Sequence, residues 1–380
     1  MSDSALSLST PLAPEGPGRA GGEADGNGSE TTDTRALREA TARRFAAVAE
    51  QITTGRRPVP LPGSGGTAQR LSVLQAVAEE DLAVARLVEG HVDALAILAE
   101  LRGPAAGSGE RWAVWAAEPP GAGLRAVREG DGWRLDGTKK YCSGAHSCTH
   151  ALVTADTDDG KRLFAAEIAG AGNAPGTAES AGAVGDARGV PRAGGTCRPV
   201  PGTWPAVGMA GSDSPDVEFR GVRAVPVGEV GAYVARPGFQ HGGIGVAACW
   251  YGGAVAVAGT LRTAAARGAD PHRDAHFGAV DVLLNAAAAV LGEAAAEIDA
   301  DPADASGGAR VRTLRVRAFV ESVCAEVLAR VGRATGAGPL CHDARHARAA
   351  ADLAVYIRQH HAERDLAELG SLVARPGAGR

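Results

Sequence analysis

The chain has no block of like charge and no basic patch. Its 39 Lys and Arg against 44 Asp and Glu leave a formal net charge of −5, which excludes the electrostatic footprint of a nucleic-acid-binding protein. Six cysteines lie at positions 142, 148, 197, 249, 324 and 341, with no C-x-x-C pair and no histidines at ligand spacing. No metal site is therefore expected, and the scatter suits reduced, buried thiols in a cytoplasmic protein. No G-x-G-x-x-G follows a strand-like run, so a Rossmann nucleotide site is not expected either. The start lacks the charged segment and apolar core of a secretory signal. Residues 1–34, rich in Ser, Thr, Gly, Pro and Glu, read as a disordered tail, and 371–380 as a second.

What is present is 380 residues at 45% hydrophobic content, enough for a globular protein of two or three domains. The 53 glycines and abundant alanine and arginine blur every apolar stripe. One stretch, 242–261, runs 20 residues without a charge, the length that spans a bilayer. It holds six glycines, is closed at once by His241 and Arg262, and has no obvious second like it. A helix buried on all sides gives the same pattern, and no membrane span is expected.

Helical spacing marks 32–51, with Asp33 as N-cap, and 67–101, a probable pair broken near Glu89-Gly90-His91. It returns at 242–267, 279–300, 310–331 with a stop at Gly332, and 343–369. Between them the period is two, with strands expected at 112–115, 124–128, 133–141, 151–154, 163–168, 217–219 and 222–225. Gly, Ala and Pro over 169–199 read as a mobile insertion. The partition is helical over 35–105, β over 106–236 and helical again over 237–370. The fold class is α+β, with a small β-barrel or sandwich between two helical regions.

Residues 130–155 are the most informative stretch. A turn, a strand ending at Tyr141, the small loop Cys142-Ser143-Gly144-Ala145 and an apolar strand follow one another. Such a loop is a tight turn, or a place where a flat ring approaches backbone N–H groups and a hydroxyl. "GWRLDGTKKYCSGA" resembles the middle-domain signature of the acyl-CoA dehydrogenase superfamily. Residues 117–123 resemble that family's T-E-P-x-A-G-S segment, and 207–219 its later "lG-x-r-x-S…v-x-F" strand. The resemblance covers roughly residues 80–370.

The resemblance implies a C-terminal four-helix bundle, a homodimer or homotetramer, and a flavin between the β domain and the bundle. Tyr141, Cys142, Ser143, Glu118, Ala122 and Gly123 would surround the ring. Pyrophosphate contacts would come from a partner subunit, here Arg333 and Gly336 in place of the family's Q-x-x-G-G-x-G. Arginine can meet a phosphate bidentately, although glycines there also simply end a helix. The R-x-x-F-G segment leaves only His276-Phe277-Gly278 as a trace. FAD is the implied cofactor, with FMN as a reduced co-substrate the alternative.

The family's D-x-x-x-Y-x-x-x-E-G pattern reads Asp352, Tyr356 and then His360 where the catalytic glutamate belongs. Helical spacing puts His360 on the apolar stripe with Tyr356, and Glu363 beside it. His361 is turned toward solvent. The first reading is a dehydrogenase that oxidises the CH–CH bond of an acyl-thioester, with His360 or Glu363 as base and hydride passing to flavin. The alternative is a flavin-dependent monooxygenase of the same fold, with Ser143 and His360 at the flavin and dioxygen as co-substrate. A silent scaffold is the third. Arg125, Trp204 and Ser212 are candidate substrate contacts. The short N-terminal region disfavours a long acyl chain, and no electron acceptor is assigned.

Overall fold

The structure, a computed structural model, describes residues 32–119, 121, 123–168 and 194–375. Residues 1–31, 169–193 and 376–380, covering most of both expected tails and of the insertion, lie outside them, as does Ala122. The chain folds as helices, then a β-barrel, then helices.

Three helices come first: α1 (Thr32–Thr53), α2 (Thr67–Glu80) and α3 (Leu82–Glu100). The break between α2 and α3 falls at Asp81 and not at Glu89-Gly90-His91. Asp81 is extended (φ −162°), and its carboxylate accepts from the N–H groups of Ala83 and Val84. It also pairs with Arg44 at 2.9 Å and Arg348 at 3.1 Å. A capped, doubly paired carboxylate outweighs the roughly 1 kcal/mol that Gly90 costs inside a helix.

Seven strands follow: β1 (Trp112–Trp115), β2 (Leu124–Glu129), β3 (Gly132–Lys139), β4 (His150–Thr157), β5 (Gly160–Glu167), β6 (Thr196–Pro199) and β7 (Val217–Val227). β4, β2, β3, β7 and β5 pair in a ring that β4–β5 closes, with β1 added along β4 and β6 along β7. β6 lies within the expected insertion, so its last residues are ladder and not loop. β7 is one strand where two were expected. It absorbs Gly221 at φ +62° where its register with β3 shifts.

The chain then returns to helix: α4 (Ala232–Ala235), α5 (Pro237–Ala265), α6 (Pro271–Ala300), α7 (Ala309–Thr335), α8 (Gly338–His342), α9 (Ala344–Tyr356) and α10 (Glu363–Ala374). α5 carries the long uncharged stretch and runs through the middle, packed by α2, α3, α7 and α9. Of its most apolar window 72% is buried inside the protein. α6 is also long and apolar enough to cross a membrane, with 28% of its window buried. This second segment escapes notice because five acidic residues and an asparagine interrupt its apolar run.

Two helix ends depart from expectation. α7 continues past Gly332 to Thr335 and is capped by Gly336 at φ +65°. The last expected helix breaks after Tyr356: a 3₁₀ turn, Ile357–Gln359, leads to extended His360 (φ −79°, ψ 130°). Asp365 then reaches back to the His361 N–H at 3.1 Å and starts α10 anew.

Close packing around α5 rests on its glycines. A Cβ on Gly252 would lie 2.3 Å from the Gln75 carbonyl oxygen of α2. Gly252→Ala is therefore expected to lower stability by about 1–3 kcal/mol in urea unfolding. Propensity alone would raise it by about 1 kcal/mol.

Candidate active site

The serine loop after β3 is tied to the loop before β7. Cys142, Gly144 and Ala145 donate their N–H groups to the carbonyls of Pro215, Ser212 and Asp213 at 3.0, 2.9 and 3.2 Å. The loop's backbone donors are thereby used within the protein, and its hydroxyl is what remains. Ser214 Oγ donates to Ser143 Oγ at 3.1 Å and sits 2.9 Å from Ser212 Oγ, which donates to the Met209 carbonyl at 2.8 Å. Ser143 accepts a bond and, among the described residues, gives its own proton to no protein atom. It is a buried donor awaiting an acceptor. Tyr141 (φ +57°), Met209 (φ +60°) and Asp213 (φ +48°) hold left-handed backbone around it, a concentration of strain typical of ligand-binding loops. Asp213 also grips His146, accepting its N–H at 2.8 Å with Nδ1 at 2.9 Å.

Ser143 opens into a small cavity beneath α3, lined by Arg86, Leu87, Gly90, Trp112 and Cys148 among others. Arg86 bonds Glu89 at 2.7 Å, both side chains being mostly buried. Burial pushes Glu89 up to about 7, against the pull of Arg86. On the far side, Trp250 of α5 meets Tyr356 edge-to-face, and Arg317 of α7 lies 4.6 Å over the Trp250 ring. Trp250 Nε1, Arg86 Nε and His360 Nε2 are buried without a hydrogen-bond partner among the described residues. Orphaned buried donors are costly, and several in one region mark a place where a ligand or water belongs.

A larger cleft of about 800 Å³ lies at the α2–α3 junction, between the second half of α5 and the α7–α9 turn. Arg262, Arg267, Arg273, Arg345 and Arg348 line it, faced by Glu79, Glu80, Asp81, Asp343 and Asp352. Arg262, Arg267 and Arg345 make no ion pair among the described residues, which leaves positive charge for an anion. Asp352 joins the cleft to the serine loop. Its carboxylate accepts the Met209 N–H, and burial pushes it up to about 6. Leu82 borders the cleft, while Arg86 and Gly90 border the Ser143 cavity. At i, i+4 and i+8 these share one face of α3, roughly 12 Å from end to end.

No family model and no curated protein sequence matches the chain. Solved structures do. A KijD3 in complex with FMN and a dTDP-amino-keto-sugar has 19% identity and a TM-score of 0.63, covering 92% of this chain and 95% of its own. The dibenzothiophene monooxygenase TdsC from Paenibacillus sp. A11-2 has 16% identity and a TM-score of 0.65, over 90% and 97%. A glutaryl-CoA dehydrogenase from Mycobacterium smegmatis in complex with FADH2 has 14% identity and a TM-score of 0.67, over 94% and 98%. The chain has the acyl-CoA dehydrogenase fold.

Within that fold the expected site residues separate into two groups. Ser143, Ser212 and Trp204 meet through the hydrogen bonds of Met209 and Ser214, whereas His360 lines neither the small cavity nor the cleft. Trp204, half-buried, donates to the Met209 carbonyl at 3.2 Å, and His360 is 6% exposed in the turn after α9, not on a helical stripe. Cys142 is sealed in the core with its thiol on the Lys139 carbonyl. Tyr141 is 54% exposed.

The others sit apart from these. Glu118 holds its loop through Lys139, Thr154 and Lys161, not through backbone bonds. Although partial burial raises its pKa, those bonds keep it low. Gly123 accepts from Thr138 within the sheet, where a Cβ on Gly137 would strike its carbonyl at 2.3 Å. Arg125 makes an exposed ion pair with Asp158. Arg333 pairs with Glu326 on the surface, and Gly336 caps α7 in the open, although their neighbours Thr335 and Gly338 line the cleft. Glu363 opens α10 and is exposed to solvent.

Arg86, Glu89, Ser214 and the arginine cleft escape sequence reasoning. In sequence Arg86 and Glu89 are an ordinary i,i+3 surface pair. Asp352 yields the sharpest test here. A carboxyl raised to about 6 when folded contributes stability fully present below the unfolded value near 4 and lost as pH rises through 6. Asp352→Asn is thus expected to gain on wild type by about 1–3 kcal/mol between pH 4 and 7, read by urea unfolding at each pH.

Proposed function

We propose that the chain is a flavin-dependent oxidoreductase of the monooxygenase kind, taking reduced FMN and dioxygen. The carrying observation is the end of α9. Where a dehydrogenase of this fold needs a carboxylate, a buried imidazole stands with Nε2 unpartnered, and Glu363 points to solvent. Burial lowers the pKa of His360 more than Asp365, 3.9 Å away, restores it, so the ring is neutral at pH 7. A neutral imidazole hydrogen-bonds and shuttles a proton but is a poor base for a thioester α-proton.

The residues suit a mononucleotide. The cleft has volume for one, and unpaired Arg262, Arg267 and Arg345 suit a phosphate. The face of α3 leads from there to Ser143, whose hydroxyl proton has no acceptor among the described residues. The pyrophosphate motifs that a dinucleotide would use are the ones the sequence has nearly lost. Bound flavin would supply the electron pair that activates dioxygen. The chain's part is to hold the phosphate, donate from Ser143, keep His360 neutral beside the reacting atoms, and exclude water with Trp250 and Tyr356. KijD3 and TdsC, structures of this fold, are both described with FMN, one with an amino sugar nucleotide and the other with indole.

The test uses purified protein with both flavins. Tighter binding of reduced FMN than of FAD, with dioxygen consumption and no bleaching by acyl-thioesters, is the expected result. A co-purified FAD bleached anaerobically by an acyl-CoA would establish the dehydrogenase instead, and failure to bind either flavin would leave the scaffold. Ser143→Ala and His360→Ala are each expected to lower flavin-dependent dioxygen consumption by about 10²-fold, measured with an oxygen electrode, while leaving the fold intact.

A further inference from the structure

One polar side chain in the large cleft is held in place where the arginines are not. Arg262, Arg267 and Arg345 are exposed, each at the end of a flexible stem. His346 lines the same cleft and is only 5% exposed. Its backbone is set by Asp343, the N-cap of α9, which accepts the N–H groups of Arg345 and His346 at 3.0 and 3.1 Å. Its ring is set from α5, where Thr260 Oγ1 lies 2.9 Å from Nδ1. The other nitrogen, Nε2, bonds to no protein atom among the described residues, yet it is not cut off from solvent. In a side chain so deeply buried, the cleft is the way out.

We propose that His346, oriented by Thr260, donates a hydrogen bond to the phosphate monoester of the cleft's ligand and is the fixed point around which the arginines close. The identity of that ligand rests on the flavin reading. A phosphate oxygen only accepts, which sets the tautomer: Thr260 Oγ1–H donates to Nδ1, and the ring proton sits on Nε2.

The surroundings fit a neutral donor among cations. Burial lowers the pKa of His346, and the nearby Asp343 carboxylate restores only part of it, so the ring is uncharged at pH 7. The positive charge comes from beside it. Arg345 precedes it on α9, and Arg262 Nη2 lies 4.0 Å from where a Cβ on Gly259 would stand. That guanidinium therefore folds back along α5 over the residue before Thr260. Most carboxylates of the cleft are already engaged. Asp81 and Glu80 pair with arginines, and Asp343 and Asp352 accept backbone N–H groups. Glu79 is the one that has no such partner among the described residues.

The test compares reduced FMN with reduced riboflavin, which shares the ring and the ribityl chain and lacks the phosphate. In anaerobic titration, His346→Leu is expected to weaken FMN binding by about tenfold and to leave riboflavin within about twofold of wild type. His346→Gln, whose amide nitrogen reaches the place of Nε2, is expected to recover most of the FMN affinity. Thr260→Val, which frees the ring, is expected to lose part of it. Equal losses for the two flavins, or FMN binding untouched by His346→Leu, overturn the proposal. Should His346→Leu fail to fold, Thr260→Val must show the same selective loss.

A second measurement needs no flavin. At constant ionic strength, inorganic phosphate is expected to raise the melting temperature of wild type and His346→Gln but not of His346→Leu. Equal shifts in all three overturn the proposal. A protein that binds neither flavin yet keeps this contrast refutes the functional reading and leaves His346 as an oxyanion donor. FMN binding that ignores His346 refutes the donor alone. Wild type that is unmoved by phosphate and holds the two flavins equally overturns both.

Discussion

The Met209 N–H bound by Asp352 is the contact on which the site depends. It is where the loop carrying Ser212 and Ser214 is fastened to α9. The approach is close enough that Gly208 has no room for a side chain, since a Cβ there would come 2.2 Å from the Ala351 carbonyl. From that junction the order is fixed on both sides. Ser212 and Ser214 pass hydrogen bonds to Ser143, and α9 carries Tyr356 to Trp250 and ends just before His360. A displacement of a single ångström at this buried bond would move the Ser212–Ser214 loop relative to α9.

The second constraint is the row of glycines along α5. Its glycines bring α2, α3 and α7 close enough for arginine and glutamate side chains from three helices to share one interior. An interior of this kind is expensive if it serves only stability. Polar atoms on Arg86, Trp250 and His360 have no hydrogen-bond partner there among the described residues. An acyl pocket is normally apolar, and these walls are not.

Much of the fold is legible in the sequence because it is written in period. The period of two begins where β1 does, at Trp112, and its last expected strand ends two residues before β7 does, at Val227. The Gly132–Lys139 strand with its small-residue loop stands out even in a glycine-rich chain. Ser143 is carried by that same loop. The motif singles out His360, yet its burial comes from a turn and not from the helical stripe that spacing suggests. The break depends on Asp365 reaching back to His361, which no periodicity records. Glu363 fails with it, since a restarted helix turns that side chain outward.

The α3 pair and the arginine cleft are illegible for a different reason. Burial of Arg86 and Glu89 is imposed by β1 and α5, far away in sequence, and the cleft collects arginines from α5, α6 and α9 in a chain with arginine everywhere. A flavin ring that accepts a hydrogen bond from Ser143 while its phosphate rests on those arginines is tested most directly by a crystal structure with FMN. A ring atom within hydrogen-bond distance of Ser143 Oγ, with the phosphate among Arg262, Arg267 and Arg345, is the expected result. Flavin bound elsewhere, or Ser143 donating to a protein acceptor in the complex, would contradict it.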